Sequence, residues 1–273
     1  MVTESQENQE SLMGVVKSLV VLTFIFLFAG ASSADDRELE TLFGNRGVEG
    51  AIVISSLDGK KEYVWNEDRA RKRFVPASTF KIPHTLIALD QGAVSDEKAV
   101  IPWDGKKQEV RGCNNDQRLE TAFPLSCVWF YQELAKRMDR AKYTELLGKT
   151  GYGNGLAGPD LTTFWLAGDL SISPYEQVLF LRNLYHGSLP YKKEHMEVVK
   201  KLMVNEVNPL FTVRAKTGWA ARTLPEQGWF VGYVETGGQV WLFATHIDIK
   251  KAADLALRKQ ITLDALKLKG IIK

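Results

Sequence analysis

Pro76-Ala77-Ser78-Thr79-Phe80-Lys81 begins the stretch whose reading decides the fold. Behind it an apolar-periodic run passes through Leu86, Ile87 and Leu89 and stops at Gly92. Proline in a first turn and glycine past the last are helix punctuation. Ser78 therefore falls near the start of a helix with Lys81 three residues on, and positions i and i+3 share a face. A hydroxyl and an amine so placed can touch. The helix N-terminus adds positive potential where an oxyanion would develop. The pattern suits a serine nucleophile whose proton leaves through a lysine-derived base. Pro83 comes early enough in the helix to be tolerated.

The S-x-x-K spacing is weak by itself. It recurs at Ser95-Asp96-Glu97-Lys98, a charged segment past the helix stop that reads as solvated surface. Read in isolation, Ser78 is a helix cap and Lys81 a surface amine. Phe80, Ile82, Leu86 and Ile87 make the surroundings of the first copy apolar, and the rest of the chain supplies partners.

Residues 1–34 read as a leader rather than as fold. Leu19 to Gly30 is a continuous apolar run, short for a bilayer span, followed by Ala31-Ser32-Ser33-Ala34, small residues suited to signal-peptidase cleavage. Glu4, Glu7 and Glu10 make a poor n-region, whereas a start at Met13 leaves Met-Gly-Val-Val-Lys; an uncleaved anchor is the alternative. Residues 35–273 are then the mature chain, exported to the periplasm or beyond, with no stable membrane insertion after cleavage. The net charge is +2 and no long Lys/Arg run occurs, which gives no footprint for nucleic acid. Export means an oxidising compartment; the 2 cysteines, Cys113 and Cys127, can pair there, but the sequence leaves that open.

Ala51–Ser56 and Glu62–Trp65 flank Asp58-Gly59, a hairpin signal. The middle of the chain is helical, with helices expected at Val128–Arg137, Ala141–Gly148, Ser173–Tyr185 and Lys193–Val204; Ser173-Pro174-Tyr175-Glu176 fits a capping box. Strands return at Phe211–Lys216, Gly228–Glu235 and Gln239–Asp248, the last two forming a hairpin across Thr236-Gly237-Gly238. Apolar and β-branched residues on both faces imply a sheet covered on each side. Ala253–Lys267 closes the chain as an amphipathic helix. Strands at both ends around a helical middle describe one α+β unit with a helical lobe inserted.

Ser126-Cys127-Val128 follows Pro124 at an expected helix start, where serine is ordinarily a cap. Lys216-Thr217-Gly218 ends a strand pattern and leads into Trp219. A second Lys-Thr-Gly, at 149–151, follows a helix and reads as coincidence. Residues 153–158 match G-x-G-x-x-G, but no strand precedes them and Pro159 follows, so they read as a tight turn and not a dinucleotide site. None of the 4 histidines makes a metal spacing, and G-x-S-x-G is absent.

Ser78-Thr79-Phe80-Lys81, Ser126-x-Val128, Tyr152-Gly153-Asn154, Trp165-Leu166 and Lys216-Thr217-Gly218, in that order and at those intervals, resemble the class D (oxacillinase-type) serine β-lactamases. The likeness covers essentially the whole mature chain, including Arg258 in the closing helix. It implies the penicillin-recognising serine hydrolase fold, an antiparallel sheet flanked by helices. It implies hydrolysis of penicillins through an acyl-enzyme on Ser78, with Lys81 carbamylated by CO2 (N6-carboxylysine) as general base and no other cofactor and no metal. Trp165 would donate its indole N–H to the carbamate. Ser126 and Lys216 would relay a proton to the departing lactam nitrogen. Backbone N–H groups of Ser78 and Trp219 would form the oxyanion hole. Thr217 and Arg258 would hold the substrate carboxylate, with Val128, Leu166 and Gly218 lining the site; Tyr152 and Asn154 would be structural. The partner is a small-molecule β-lactam, and the chain is a monomer or homodimer.

Departures from the family pattern are small. Cys127 fills the variable middle of S-x-V, and Cys113 stands where a larger site-lining residue is usual. Arg222 lies in an expected ten-residue loop, Trp219–Gly228, and that length and the arginine look like one carbapenem-hydrolysing subgroup. The rival reading is a β-lactam sensor or penicillin-binding module that is acylated without turnover; a short removable leader disfavours the membrane-tethered sensor.

Overall fold

A computed structural model describes residues 36–273, so the expected leader over 1–34 lies outside the described residues. Helix α1 (Arg37–Gly44) is capped by the Asp36 carboxylate and is followed by the hairpin β1 (Gly50–Ser56) and β2 (Glu62–Trp65). Next come α2 (Glu67–Arg71) and α3 (Lys81–Asp90), then α4 (Leu119–Leu125), α5 (Val128–Lys136), α6 (Arg140–Thr150), α7 (Pro174–His186) and α8 (Lys193–Leu202). Strands β3 (Val204–Val207), β4 (Phe211–Ala220), β5 (Glu226–Thr236) and β6 (Gln239–Ile249) precede the closing helix α9 (Asp254–Leu268). The strands form one antiparallel sheet in the order β2-β1-β6-β5-β4-β3. The α+β architecture with a helical middle is the one the sequence implies.

Strand alternation explains the layers. Along β1, Ala51 and Val53 face one apolar cluster and Ile52 and Ile54 the other. The first cluster joins Val231, Tyr233 and Leu242 to the helices of the middle third, Leu86 of α3 and Leu181 of α7 among them. The second packs Phe230, Phe243 and Ile247 against Leu39 and Phe43 of α1 and Ile261 of α9. Both faces are therefore dry, which requires the unbroken apolar runs seen in β5 and β6.

Differences from expectation have local causes. Strand β4 does not end at Lys216, and no loop runs from Trp219 to Gly228. Trp219 pairs with Gly228 and Ala220 with Gln227, so only 221–225 connect the strands. Glycines at 218 and 228 weaken the strand pattern, but neighbouring strands impose it. Residue Val204 belongs to β3, paired with Arg214, and not to the preceding helix. The expected capping box forms: Ser173 Oγ accepts from the Glu176 N–H at 3.2 Å, and a Glu176 carboxylate oxygen accepts from the Ser173 N–H at 2.9 Å.

Cys113 and Cys127 form a disulfide, closing a sequence separation of 14 residues. Closing a loop of that length is worth about 3 kcal/mol.

Asn154 closes the long segment that carries Trp165. Its Nδ2 donates to the Asp169 carbonyl at 2.7 Å, and its Oδ1 accepts from the N–H groups of Leu156 and Ser171 at 3.2 and 3.1 Å. Asn154→Ala removes all three and leaves the ends of that segment untied. The expected cost is about 2 kcal/mol, read as a lower urea midpoint with unchanged slope.

Candidate active site

Ser78 lies in a 3-10 turn, Ala77–Phe80, that runs directly into α3. Thr79 Oγ1 donates back to the Pro76 carbonyl at 2.7 Å, and Trp229 Nε1 donates to the Val75 carbonyl at 2.9 Å. Ala77 has φ +48°, a left-handed conformation that an L side chain adopts at a cost. These constraints point Ser78 out of the turn. Lys81 Nζ stands 2.9 Å from Ser78 Oγ, and the Lys81 side chain is fully buried. The Lys81 amine lies 5.1 Å from the centre of the Tyr131 ring. Trp165 stacks on Phe80 at 5.7 Å and meets His84 edge-on at 5.2 Å.

No carboxylate pairs with Lys81 among the described residues. Burial alone pulls its pKa down from 10.5 to about 7. His84 is pushed down to about 3, by burial and then by the Lys81 charge, and stays a neutral ring. Its Nε2 bonds the Tyr143 hydroxyl at 2.6 Å.

Ser126 is not the cap of α5. It ends α4 at φ +59°, and Cys127 occupies the N-cap position. The left-handed turn aims Ser126 Oγ at Lys216 Nζ, with which it makes a short hydrogen bond. Lys216 also donates to the Thr217 carbonyl at 3.0 Å. It is buried, and its pKa is pushed well down by that burial, then by the charges of Lys81 and Arg258.

The N–H of Ala215 donates to the Met203 carbonyl at 2.7 Å, toward the β3 side of β4. Strand periodicity puts the N–H of Trp219 on that same side. There β3 has ended, and the Ser78 turn docks instead. A Cβ at Gly218 would stand 3.0 Å from the Pro76 carbonyl oxygen and 3.1 Å from Thr79 Cγ2, so glycine gives this close approach its room. A Cβ at Gly228 would lie 2.6 Å from Arg258 Cδ, so Gly228 clears the path of Arg258 across the sheet. Arg258 Nη1 donates to the Gly218 carbonyl at 2.6 Å. Burial lowers its pKa to about 10, and it stays charged at neutral pH.

A cleft of about 510 Å³ opens here, lined by Ser126, Val128, Leu166, Trp219 and Arg222, with Lys107 to Val110 on its outer wall. Trp219 Nε1 donates to Glu226 at 2.8 Å. The structure thus gathers the expected residues at one end of the sheet. The second copies separate from it: Ser95 and Lys98 are exposed, as is Lys149 at the end of α6. Two supporting residues had no sequence signal. Gln177 is fully buried and donates to Thr79 Oγ1 at 2.9 Å and to the Tyr152 hydroxyl at 3.3 Å, and Trp229 ties the chain ahead of the nucleophile.

Trp165 Nε1 is buried with no hydrogen-bond partner. An orphaned indole N–H beside a dry amine fits an anionic group on Lys81 that accepts from it.

Known proteins share the sequence family and the fold of this chain. The family of penicillin-binding protein transpeptidase domains matches residues 44–267. Beta-lactamase OXA-48 of Klebsiella pneumoniae is 40% identical over 82% of this chain and 84% of its own length. Beta-lactamase OXA-20 of Pseudomonas aeruginosa is 38% identical over 90% of this chain and 94% of its own. The crystal structure of FUS-1 (OXA-85), a class D beta-lactamase from Fusobacterium nucleatum subsp. polymorphum, superposes with a TM-score of 0.85 at 35% identity, covering 88% of this chain and all of that one (100%).

The buried amine has a consequence for stability. Lys81 loses its proton near pH 7 when folded and near 10.5 when unfolded, so the native state binds fewer protons between those values and stability rises with pH through that window. Lys81→Met removes the burden. In CO2-free buffer the variant should be more stable near pH 7 by on the order of 4 kcal/mol at most, and the gain should fade toward pH 10. A gain independent of pH in urea titrations would contradict a charged, desolvated amine.

Proposed function

The chain belongs to the class D serine β-lactamases, and from that premise we propose how its own residues divide the hydrolysis of β-lactams. The enzyme is a serine hydrolase of the β-lactam amide. Ser78 Oγ attacks the lactam carbonyl carbon as the base on Lys81, whose nitrogen stands 2.9 Å away, takes its proton. The developing oxyanion is met by the N–H of Ser78, free of an intrahelical partner in a first turn, and by the N–H of Trp219. As the C–N bond breaks, Ser126 hands a proton to the departing nitrogen and recovers one from Lys216, to which it is already bonded. Thr217 and the charged Arg258 receive the substrate carboxylate, and Val128 and Leu166 line the acyl group. Water then attacks the ester, and the Lys81 position removes its proton. A carbamate formed from CO2 on the neutral Lys81 amine supplies an anionic base there, held by Trp165 Nε1. The observation that carries the reading is Ser78 at 2.9 Å from an unpaired, buried amine that sheds its proton near neutrality.

Export follows the same reading: residues 1–34 are removed, and the mature enzyme meets antibiotics outside the cytoplasm. Among the described residues, no helix is long and apolar enough to cross a membrane.

Purified protein mixed with a chromogenic cephalosporin should turn over many equivalents. A single burst and a trapped acyl-enzyme would replace the hydrolase by a sensor. Lys81→Ala should abolish turnover. Trp165→Phe should raise the bicarbonate concentration needed for half-maximal rate by about tenfold, the loss of one hydrogen bond to a charged group. Equal rates with and without bicarbonate after CO2 stripping would remove the carbamate from the account.

The substrate range extends to carbapenems in this proposal, because Arg222 stands with Trp219 on the cleft wall. Steady-state hydrolysis of a carbapenem, measured beside a penicillin, tests it; no carbapenem turnover would sink it.

A further inference from the structure

The Cys113–Cys127 disulfide lies within the wall of the substrate cleft. Both half-cystines line it, alongside Ser126 and Val128. Both are almost completely buried, at 2% and 1% exposure, so the bond faces the cleft from beneath the surface. Its two ends belong to parts of the chain with different work. Cys127 directly follows Ser126, whose left-handed φ of +59° aims the hydroxyl at Lys216. Cys113 belongs to the segment that carries Lys107, Gln108, Glu109 and Val110, which form the outer wall.

Noncovalent contacts also join those two parts. Ser126 Oγ has one hydrogen bond, to Lys216. The Cys127 N–H donates to the Ala122 carbonyl at 3.0 Å, within its own arm. On the other arm the Cys113 N–H donates to the Val110 carbonyl at 2.9 Å, and Gln117 Nε2 donates to the Gly112 carbonyl at 2.7 Å. Across the gap, Trp129 Nε1 donates to the Cys113 carbonyl at 2.7 Å, and the Leu125 side chain packs close to Gly112. The covalent bond is the rigid member of that set, and it ends one residue from the proton-transferring hydroxyl.

We propose that this disulfide is a positioning element for acylation. It fixes the Ser126 turn against Lys216 and sets the distance of the outer wall from that turn. The inference rests on the roles proposed above for Ser126 and Lys216. It separates two chemical steps. Protonation of the departing nitrogen depends on Ser126 and belongs to acylation. Release of the acyl group depends on Lys81 and on Trp165, whose ring packs on Phe80 of the Ser78 turn and on His84 of α3. Opening the bond therefore slows the first step and spares the second.

Two preparations test this. One is the Cys113→Val/Cys127→Val variant, which keeps apolar volume without the bond. The other is wild type reduced by dithiothreitol, which supplies two electrons and two protons to leave two thiols and is itself oxidised to a cyclic disulfide; thiols are counted to confirm it. Stopped-flow acylation by a chromogenic cephalosporin and release of preformed acyl-enzyme are measured separately, with thermal unfolding alongside. In both preparations acylation should fall at least about tenfold, as for a catalytic group held loosely, while deacylation changes less than about twofold. Unchanged acylation, or both steps falling together with the melting temperature, would overturn the proposal and leave the bond a staple. If oxidised wild type itself acylates without turnover, the hydrolytic reading fails instead, and the acylation comparison still stands.

Discussion

A lysine with no counter-charge, wholly removed from water and in hydrogen-bond contact with a serine hydroxyl, is an expensive thing to keep in a fold. The surroundings explain how it is kept. Tyr131, Phe80, Trp165 and His84 supply rings rather than carboxylates, and so the amine is driven toward neutrality instead of being paired. A paired lysine would hold its proton firmly and be a poor base. The cost in stability and the gain in neutral, unprotonated amine are the same free energy seen from two sides. The unpartnered indole N–H of Trp165 adds to the cost in the same place.

That constraint makes demands on distant parts of the chain. The Ser78 turn must press against β4, which a glycine at 218 eases. The Trp219 N–H must face the same way as that of Ala215, which requires β4 to keep its strand geometry through Lys216 and beyond. Ser126 must come from a third segment, between α4 and α5, and is aimed by a left-handed turn that propensity disfavours. Gln177 of α7 ties Thr79 to Tyr152, joining the nucleophile's turn to the base of the segment that carries Trp165. Each piece is locally strained or locally polar in a buried place. Together they are satisfied by one another, with the large two-faced core beneath them holding the frame.

This division decides what was legible in the sequence. The nucleophile helix, the hairpin at Asp58-Gly59 and the Ser173 capping box are written in short-range chemistry, and they fold as read. The neighbours of each S-x-x-K copy separated the buried one from the exposed one. The elements that escaped are those whose reason is tertiary. Strand β3 exists because β4 offers it an edge, and α4 runs through Pro124 to deliver Ser126. The extension of β4 to Ala220 is imposed by β5 against two glycines. The cysteine pairing stayed open because a separation of 14 residues is compatible with either state until the turn at Ser126 brings the two chains together. Gln177 and Trp229 had no signal, since a buried glutamine and a core tryptophan look alike whether or not they tie a catalytic turn.

The three cationic side chains of the site are not equivalent, and their differences assign their work. None has a carboxylate within ion-pair distance among the described residues. Burial acts on all of them. It brings Lys81 to about 7, where a proton is released and recovered at little cost, and it pushes Lys216 well down. The same burial brings Arg258 only to about 10, because a delocalised guanidinium starts higher, and so its charge is permanent at neutral pH. In the reaction proposed above, a substrate carboxylate meets one fixed charge that orients it, and its negative charge raises the affinity of the nearby Lys216 amine for the proton that Ser126 passes on.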